Sequence, residues 1–182
     1  MLQGMLESLS SRAADLSYAL DRLRKAQDLG DVQEIVRTSV RVLAGADGAT
    51  FVLREGDWCF YADEDAMSPL WKGQRFPMRD CISGWAMTNE RIACIPDITF
   101  DERIPQDAYR PTFVRSLVMV PIGRAPALAA IGAYWARTQA PDEEVVTVLE
   151  DLAAGVAEAI GRIGIDDAPI APVLARPSPN LS

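Results

Sequence analysis

The strongest constraint in this sequence is a change of period along the chain. From residue 2 to residue 27, Leu2, Leu6, Leu9, Ala13, Leu16, Leu20, Leu23 and Gln27 recur at alternating spacings of 4 and 3. That is the stripe of a helix seeking a partner helix. Near the other end, Val145, Leu149, Leu152, Val156, Ile160 and Ile163 form a second helical stripe. Between the two, the period falls to 2. ATFVLREGDWCFYAD reads as two strands joined by a tight turn at Glu55, Gly56 and Asp57. Phe113 to Ile122 and Leu128 to Trp135 read as a second antiparallel pair, joined through GRAPA. A chain patterned this way buries its apolar surface by laying the helices together on one face of a sheet.

The remaining elements follow in order. Gly30 punctuates, Asp31 and Glu34 form a capping box, and Val32, Ile35, Val36, Val40 and Leu43 supply the apolar face of a second helix. Ser68 to Trp71 reads as a brief helical turn with Pro69 near its start, and Arg75 to Met78 as a short strand. Cys81 to Thr88 suits a short helix capped by Asp80, and Arg91 to Ile95 another strand. Pro96 to Thr112 is long for a structureless connection in a compact domain, which marks a lid or a mobile segment. Pro141 starts the last helix with three acids in its first turn. The fold class expected is α/β of the α+β type. It has a central antiparallel sheet of about six strands, long terminal helices on one face, and short helices with a long loop on the other. The divisions are a coiled-coil-like helix over 1–29, a domain over 30–164, and a proline-rich disordered tail over 165–182.

Composition removes whole classes of function. The chain has 182 residues, no histidine and a formal charge of −8. Without histidine there is no Ser-His-Asp or Cys-His nucleophile, no histidine zinc ligand and no phosphoacceptor histidine. The acidity argues against nucleic acid, although residues 141–164 alone hold six acids against one base. No apolar run reaches the length of about 20 residues that spans a bilayer, and no export signal is visible, so a cytoplasmic location is expected. The three cysteines lack CxxC spacing and read as reduced thiols. Cys59 and Cys94, on strands, are expected to be buried and inert; Cys81, at a helix start, is expected to have a lowered pKa.

Twelve of the thirteen aromatic residues lie between Phe51 and Trp135, and most of the chemistry lies between 71 and 122. The candidate ligand-binding residues are Trp71, Phe76, Cys81, Trp85, Phe100, Asp101, Tyr109, Arg115, Leu117 and Met119. Trp71 and Trp85 read as pocket walls or as plain core, core being the commoner role of such residues. Arg115 falls on a strand face otherwise occupied by Phe113, Leu117 and Met119, so it needs a partner. That partner is either a loop carboxylate such as Asp101 or Asp107, or an anionic ligand. The small residues Ala129, Ala130, Gly132 and Ala133 leave room above the last strand. Asp97, Asp101 and Glu102 are spaced acids, which are more often solvated than cation-binding.

The blocks CFYADEDA (59–66), WKGQRFPM (71–78), CISGWAM (81–87), DERIPQDAYRPTFVRSLVMVPI (101–122) and IGAYWA (131–136) resemble, in this order, a GAF domain. The resemblance runs from about Leu23 to Ile163 and is to the GAF modules of bacterial sensor histidine kinases. It implies a sensory or regulatory module, not an enzyme, that holds a small ligand and relays its state through terminal helices. The stripe over residues 2–27 packs either on its own chain or in a homodimer, and the resemblance further implies a histidine kinase or other output domain as partner. The ligand and any cofactor are unknown. QDAYRPT lacks the cysteine and histidine of bilin-binding members, and histidine-ligated haem has no ligand here. Phe100-Asp101-Glu102 resembles part of a cyclic-nucleotide pattern. Two alternatives come with the family. One is a cysteine-dependent free methionine sulfoxide reductase, whose pattern places cysteine immediately before the glycine that here follows Ser83. The other is a ligand-free dimerisation scaffold.

Overall fold

The computed structural model describes residues 2–164, and the expected tail over 165–182 lies outside the described residues. Five α-helices and six strands occur in the order α1 (Leu2–Lys25), α2 (Leu29–Ala44), β1 (Gly48–Glu55), β2 (Trp58–Ala66), β3 (Arg75–Pro77), α3 (Ile82–Asn89), β4 (Ala93–Ile95), α4 (Gln106–Tyr109), β5 (Ser116–Ile122), β6 (Ala129–Trp135) and α5 (Glu143–Ile163). The strands form one antiparallel sheet in the order β3-β2-β1-β6-β5-β4. This is the α+β architecture that the change of period predicts.

Alternation along the central strands divides the core in two. Phe51, Leu53, Val118, Val120, Ile122, Ala129, Ile131 and Ala133 face α1, α2 and α5. Val52, Leu117, Met119, Ala130 and Tyr134 face the opposite way, towards α3 and the segment before β5. The end of α1 meets its own chain: Ala19 and Leu23, with Ala26 just beyond the helix, are buried with residues of α2 and α5, and Leu16 and Leu20 pack at the margin. Ala13, two turns earlier, is exposed, as is Tyr18 on the neighbouring face.

One irregularity sets the chemistry of the second layer. The β1–β2 register steps from Phe51 opposite Asp63 to Val52 opposite Tyr61, leaving Ala62 as an extra residue. Such a bulge reverses the phase of the strand. Before it, Cys59 and Tyr61 point away from the helices. After it, Asp63 and Asp65 point towards α2, where Arg37 and Arg41 pair with them at 3.3 and 2.9 Å. Glu64 is thereby turned to the other face.

Several local expectations need correcting. Helix α2 begins at Leu29, with Gly30 inside it; the cap is Asp28, whose carboxylate accepts the Asp31 N–H at 2.9 Å. Asp31 instead accepts the Gln27 N–H, so the Asp31–Glu34 box does not form. Helix α3 is preceded by Cys81, not capped by Asp80. Ser68 to Trp71 makes no helical turn, because Glu64 takes the backbone N–H groups of Leu70, Trp71 and Lys72 at 2.9 to 3.0 Å. Residues 96–112 are structured: a 3₁₀ turn at Ile98–Phe100 and the short α4 carry buried Ile98, Ile104 and Tyr109 onto the sheet. Among the described residues, no helix is long and apolar enough to cross a membrane.

Candidate functional site

The face of the sheet away from the long helices carries a closed aromatic cluster. Tyr61 comes from β2, Trp71 from the loop held by Glu64, Phe76 from β3, Tyr109 from α4 and Tyr134 from β6. Ring centroids lie 4.7 to 5.6 Å apart, mostly edge to face, a spacing that aromatic quadrupoles favour. Glu64 places Trp71 by accepting three successive backbone N–H groups, and the indole Nε1–H then donates to the carbonyl of Ala108 at 3.3 Å. A void of about 10 Å³ remains, lined by Tyr61, Trp71, Phe76, Cys81, Pro105, Ala108 and Tyr109. That volume is at the lower limit for one water molecule.

Polar groups in this layer pair with one another in two sets. The Tyr134 hydroxyl bonds the Thr50 hydroxyl at 2.8 Å, and both side chains are buried. Gly132 permits this, because a Cβ there would come within 2.7 Å of Thr50 Oγ1 and closer still to the Tyr134 hydroxyl. The room left by the small residues of β6 is thus filled partly from within the strand itself. Tyr134→Phe should strand the Thr50 hydroxyl and cost about 1–3 kcal/mol, read as a lower urea midpoint at unchanged m-value. A cost below half of that would mean the hydroxyl pair contributes little.

The second set runs from Tyr61 Oη to Ser83 Oγ at 3.2 Å, then to Cys81 Sγ at 3.3 Å and Cys59 Sγ at 3.2 Å. With both thiols protonated, Cys81 donates to Cys59. Ionisation favours Cys81: the resulting hydrogen bond from Cys59 stabilises its thiolate against the cost of burial, helped by Ser83 and the Gly84 N–H. Cys81 is therefore lowered from an ordinary thiol value, as the helix-start argument anticipates, with Cys59 as the principal cause. Cys59 is pushed far up by that same bond and by burial. Burial also raises Tyr61, Tyr109 and Tyr134, which stay neutral phenols. Among the described residues, the Tyr109 hydroxyl is the one buried side-chain polar atom without a hydrogen-bond partner.

The candidate residues separate clearly. Trp71, Phe76, Cys81 and Tyr109 line the void, and Leu117, Met119 and Trp85 belong to the same apolar layer. Trp85 is half-buried, with the Arg103 guanidinium 4.4 Å over its ring. Asp101 lies outside the void and is bound by Arg103 at 2.6 Å, which holds its carboxyl below the usual carboxylate range. Phe100 is 83% exposed, because Ile98 takes the inward position of its turn. Arg115 is exposed as well, and among the described residues it meets neither a carboxylate nor the void. Strand β5 starts after it, Val114 fills the interior, and its guanidinium donates to the carbonyls of Thr112 and Val114. Cys94 is exposed on the edge strand β4, where Ala93 and Ile95 point inward. The expectation of a buried Cys94 is therefore corrected. Asp97 caps the 3₁₀ turn, and no metal-binding group of three or more acids or cysteines forms among the described residues.

Sequence reasoning missed Tyr61, Glu64 and Ser83. Tyr61 shares a strand face with Cys59, a signal that alternation already carries. Glu64 offers none, since its role depends on the bulge.

A search of curated protein sequences finds no match. The fold, however, is shared widely. The GAF domain of an Acinetobacter phosphoenolpyruvate-protein phosphotransferase superposes with a TM-score of 0.71 at 15% identity, over 84% of this chain and 94% of that one. A free methionine-R-sulfoxide reductase from Neisseria meningitidis, solved with its substrate, gives 0.72 at 15% identity, over 84% and 89%. The chromophore-binding domain of an R. palustris bacteriophytochrome gives 0.72 at 17% identity, over 85% of this chain and 62% of that one. At such identities the likeness concerns the fold alone. The sequence profile described as GAF domain matches residues 26–161, three-quarters of the chain, and the chain therefore belongs to the GAF domain family.

Proposed function

We propose that this chain is a non-enzymatic sensory module that binds a small, uncharged molecule beneath residues 105–109. The observation that carries the proposal is the buried, unpaired hydroxyl of Tyr109. Such a group costs free energy unless something completes it. No lysine, arginine, aspartate or glutamate lines the void, which favours a neutral ligand with one hydrogen-bonding group over an anion. Entry requires α4 to lift, breaking the long indole bond to Ala108, so the ligand selects an open form. The displaced α4 then biases the terminal helices, which carry the state to a second copy of the chain and to a histidine kinase or other output domain in the cytoplasm.

Tyr109→Phe tests this reading twice. In the ligand-free protein it should leave the melting temperature unchanged or raise it, since it removes an unsatisfied group. With a panel of neutral metabolites screened by hydrogen exchange, protection of residues 96–112 seen in the wild type should be lost in the variant. A variant that is clearly destabilised without ligand would show that the hydroxyl already has a partner and would remove the basis of the proposal.

A further inference from the structure

We infer that Cys59 and Cys81 are the two halves of a disulfide that closes when the protein meets a hydroperoxide, fastening α3 to β2. The two Sγ atoms already face each other at 3.2 Å, and a disulfide requires about 2.05 Å. Closure therefore asks for a movement of about 1 Å, not a rearrangement of elements. The pair joins residues 22 apart in sequence, on different elements: Cys59 lies in β2, and Cys81 immediately precedes α3.

The division of labour between the thiols is visible in their surroundings. Cys81 has the Ser83 hydroxyl and the Gly84 N–H beside it, groups that stabilise a thiolate. It also lines the small void under Pro105 and Ala108, both only partly buried, so one layer of side chains separates it from solvent. Cys59 is wholly buried behind it and keeps its proton. The Cys81 thiolate attacks the O–O bond of the hydroperoxide. Its sulfur gains one oxygen, with that oxygen's hydrogen, as sulfenic acid; the other oxygen leaves as alkoxide, or as hydroxide when the oxidant is hydrogen peroxide, and takes from solvent the proton that Cys81 released. The Cys59 sulfur then attacks the Cys81 sulfur, the S–S bond forms as the S–O bond breaks, and the sulfenic hydroxyl leaves as water with the Cys59 proton. In sum, two thiols lose two electrons and two protons, and one hydroperoxide becomes one alcohol and one water.

This chemistry is stoichiometric and requires no turnover of a sulfoxide. Because it depends on the sulfurs and not on the Tyr109 hydroxyl, it stands whether or not a ligand enters the void. Its effect is to fix the start of α3 against β2, which removes the Ser83 contact to a free thiol and stiffens the wall of the aromatic layer.

The experiment treats the full chain with hydrogen peroxide, quenches it in acid and maps the peptides. Expected is a monomer lighter by about 2 Da, with Cys59 joined to Cys81 and only Cys94 still titratable among the three thiols. Dithiothreitol should restore all three. In Cys59→Ser, dimedone should label Cys81 as a trapped sulfenic acid, whereas the wild type should give no adduct. In Cys94→Ser the internal bond should form unchanged. The inference is overturned if oxidation yields Cys94-linked dimers as the main product. It is equally overturned if Cys81 passes to sulfinic acid while Cys59 remains free, or if both thiols persist under peroxide that consumes Cys94. Should Cys59→Ser fail to fold, the wild-type peptide map alone decides among these outcomes.

Discussion

Gly84→Ala is expected to lower the stability of the domain by about 3 kcal/mol or more, at the upper end of what overpacking costs. Helix α3 crosses the residues before it so closely that a Cβ on Gly84 would lie 2.5 Å from Met78 Cα and carbonyl carbon, and closer still to the carbonyl oxygen. The obstacle is backbone, which cannot rotate away as a side chain does. Either α3 lifts from β5 and β6, or Met78 to Asp80 moves and loosens Cys81. Ordinary Gly→Ala reasoning gives the opposite sign, since alanine is the better helix former by about 1 kcal/mol. Gly161 on α5 supplies the internal control, because nothing lies within 4 Å of its hypothetical Cβ. Chemical denaturation of Gly84→Ala beside Gly161→Ala checks the claim. Equal or stabilising effects at both sites would show that α3 is free to adjust.

The second large effect is expected at Leu23. It is 1% exposed, sits in the last turns of α1, and packs with α2 and α5 in the larger core cluster. Its carbonyl also accepts a hydrogen bond from Arg162 Nη2 at 2.9 Å, fastening the end of α1 to the end of α5. Leu23→Ala should cost about 2–5 kcal/mol, as large-to-small core changes do. Ala13, on the same stripe, is exposed, and Ala13→Ser should stay within about 0.5 kcal/mol. Comparable costs at the two positions would mean that α1 is not part of the core. The comparison also bears on the proposed relay, because a helix whose last turns belong to the core cannot move without the sheet registering it.

How much of this was legible in advance depended on the range of the interactions involved. The α1 and α5 stripes, the two hairpins and the antiparallel sheet follow from periodicity, which is a local property. Trp71, Phe76, Cys81 and Tyr109 were singled out because aromatic and thiol groups concentrate between residues 71 and 122, and the structure brings these four around one void. Arg115 and Phe100 misled for one common reason. Each stands at the end of an element, where alternation ceases to dictate direction and a neighbour, Val114 or Ile98, takes the interior place. Cys94 obeys alternation, but it faces outward on an edge strand, and which strand lies at the edge is a fact of topology. The order within residues 96–112 was hidden by polar and proline-rich composition, although Ile98, Ile104 and Tyr109 are spaced to anchor such a segment. The cap of α2 was misplaced by three residues because Asp28 and Asp31 are equally good caps by type.

The extra residue at Ala62 gives β2 an arithmetic of its own. Upstream of it odd-numbered side chains belong to the aromatic layer, downstream the even-numbered ones do, and Glu64 can reach the backbone of Trp71 only under the second rule. Substitution at Ala62 leaves that parity intact, whereas excision of Ala62 would restore a straight strand. Tyr61 and Asp63 would then be consecutive and face opposite ways, as they already do, so Asp63 and Asp65 would still meet α2 and Glu64 would still seat the indole. A relative one residue shorter between Tyr61 and Asp63 would therefore hold its tryptophan in the same place with a straight strand, whereas one of this length does so only by keeping the bulge.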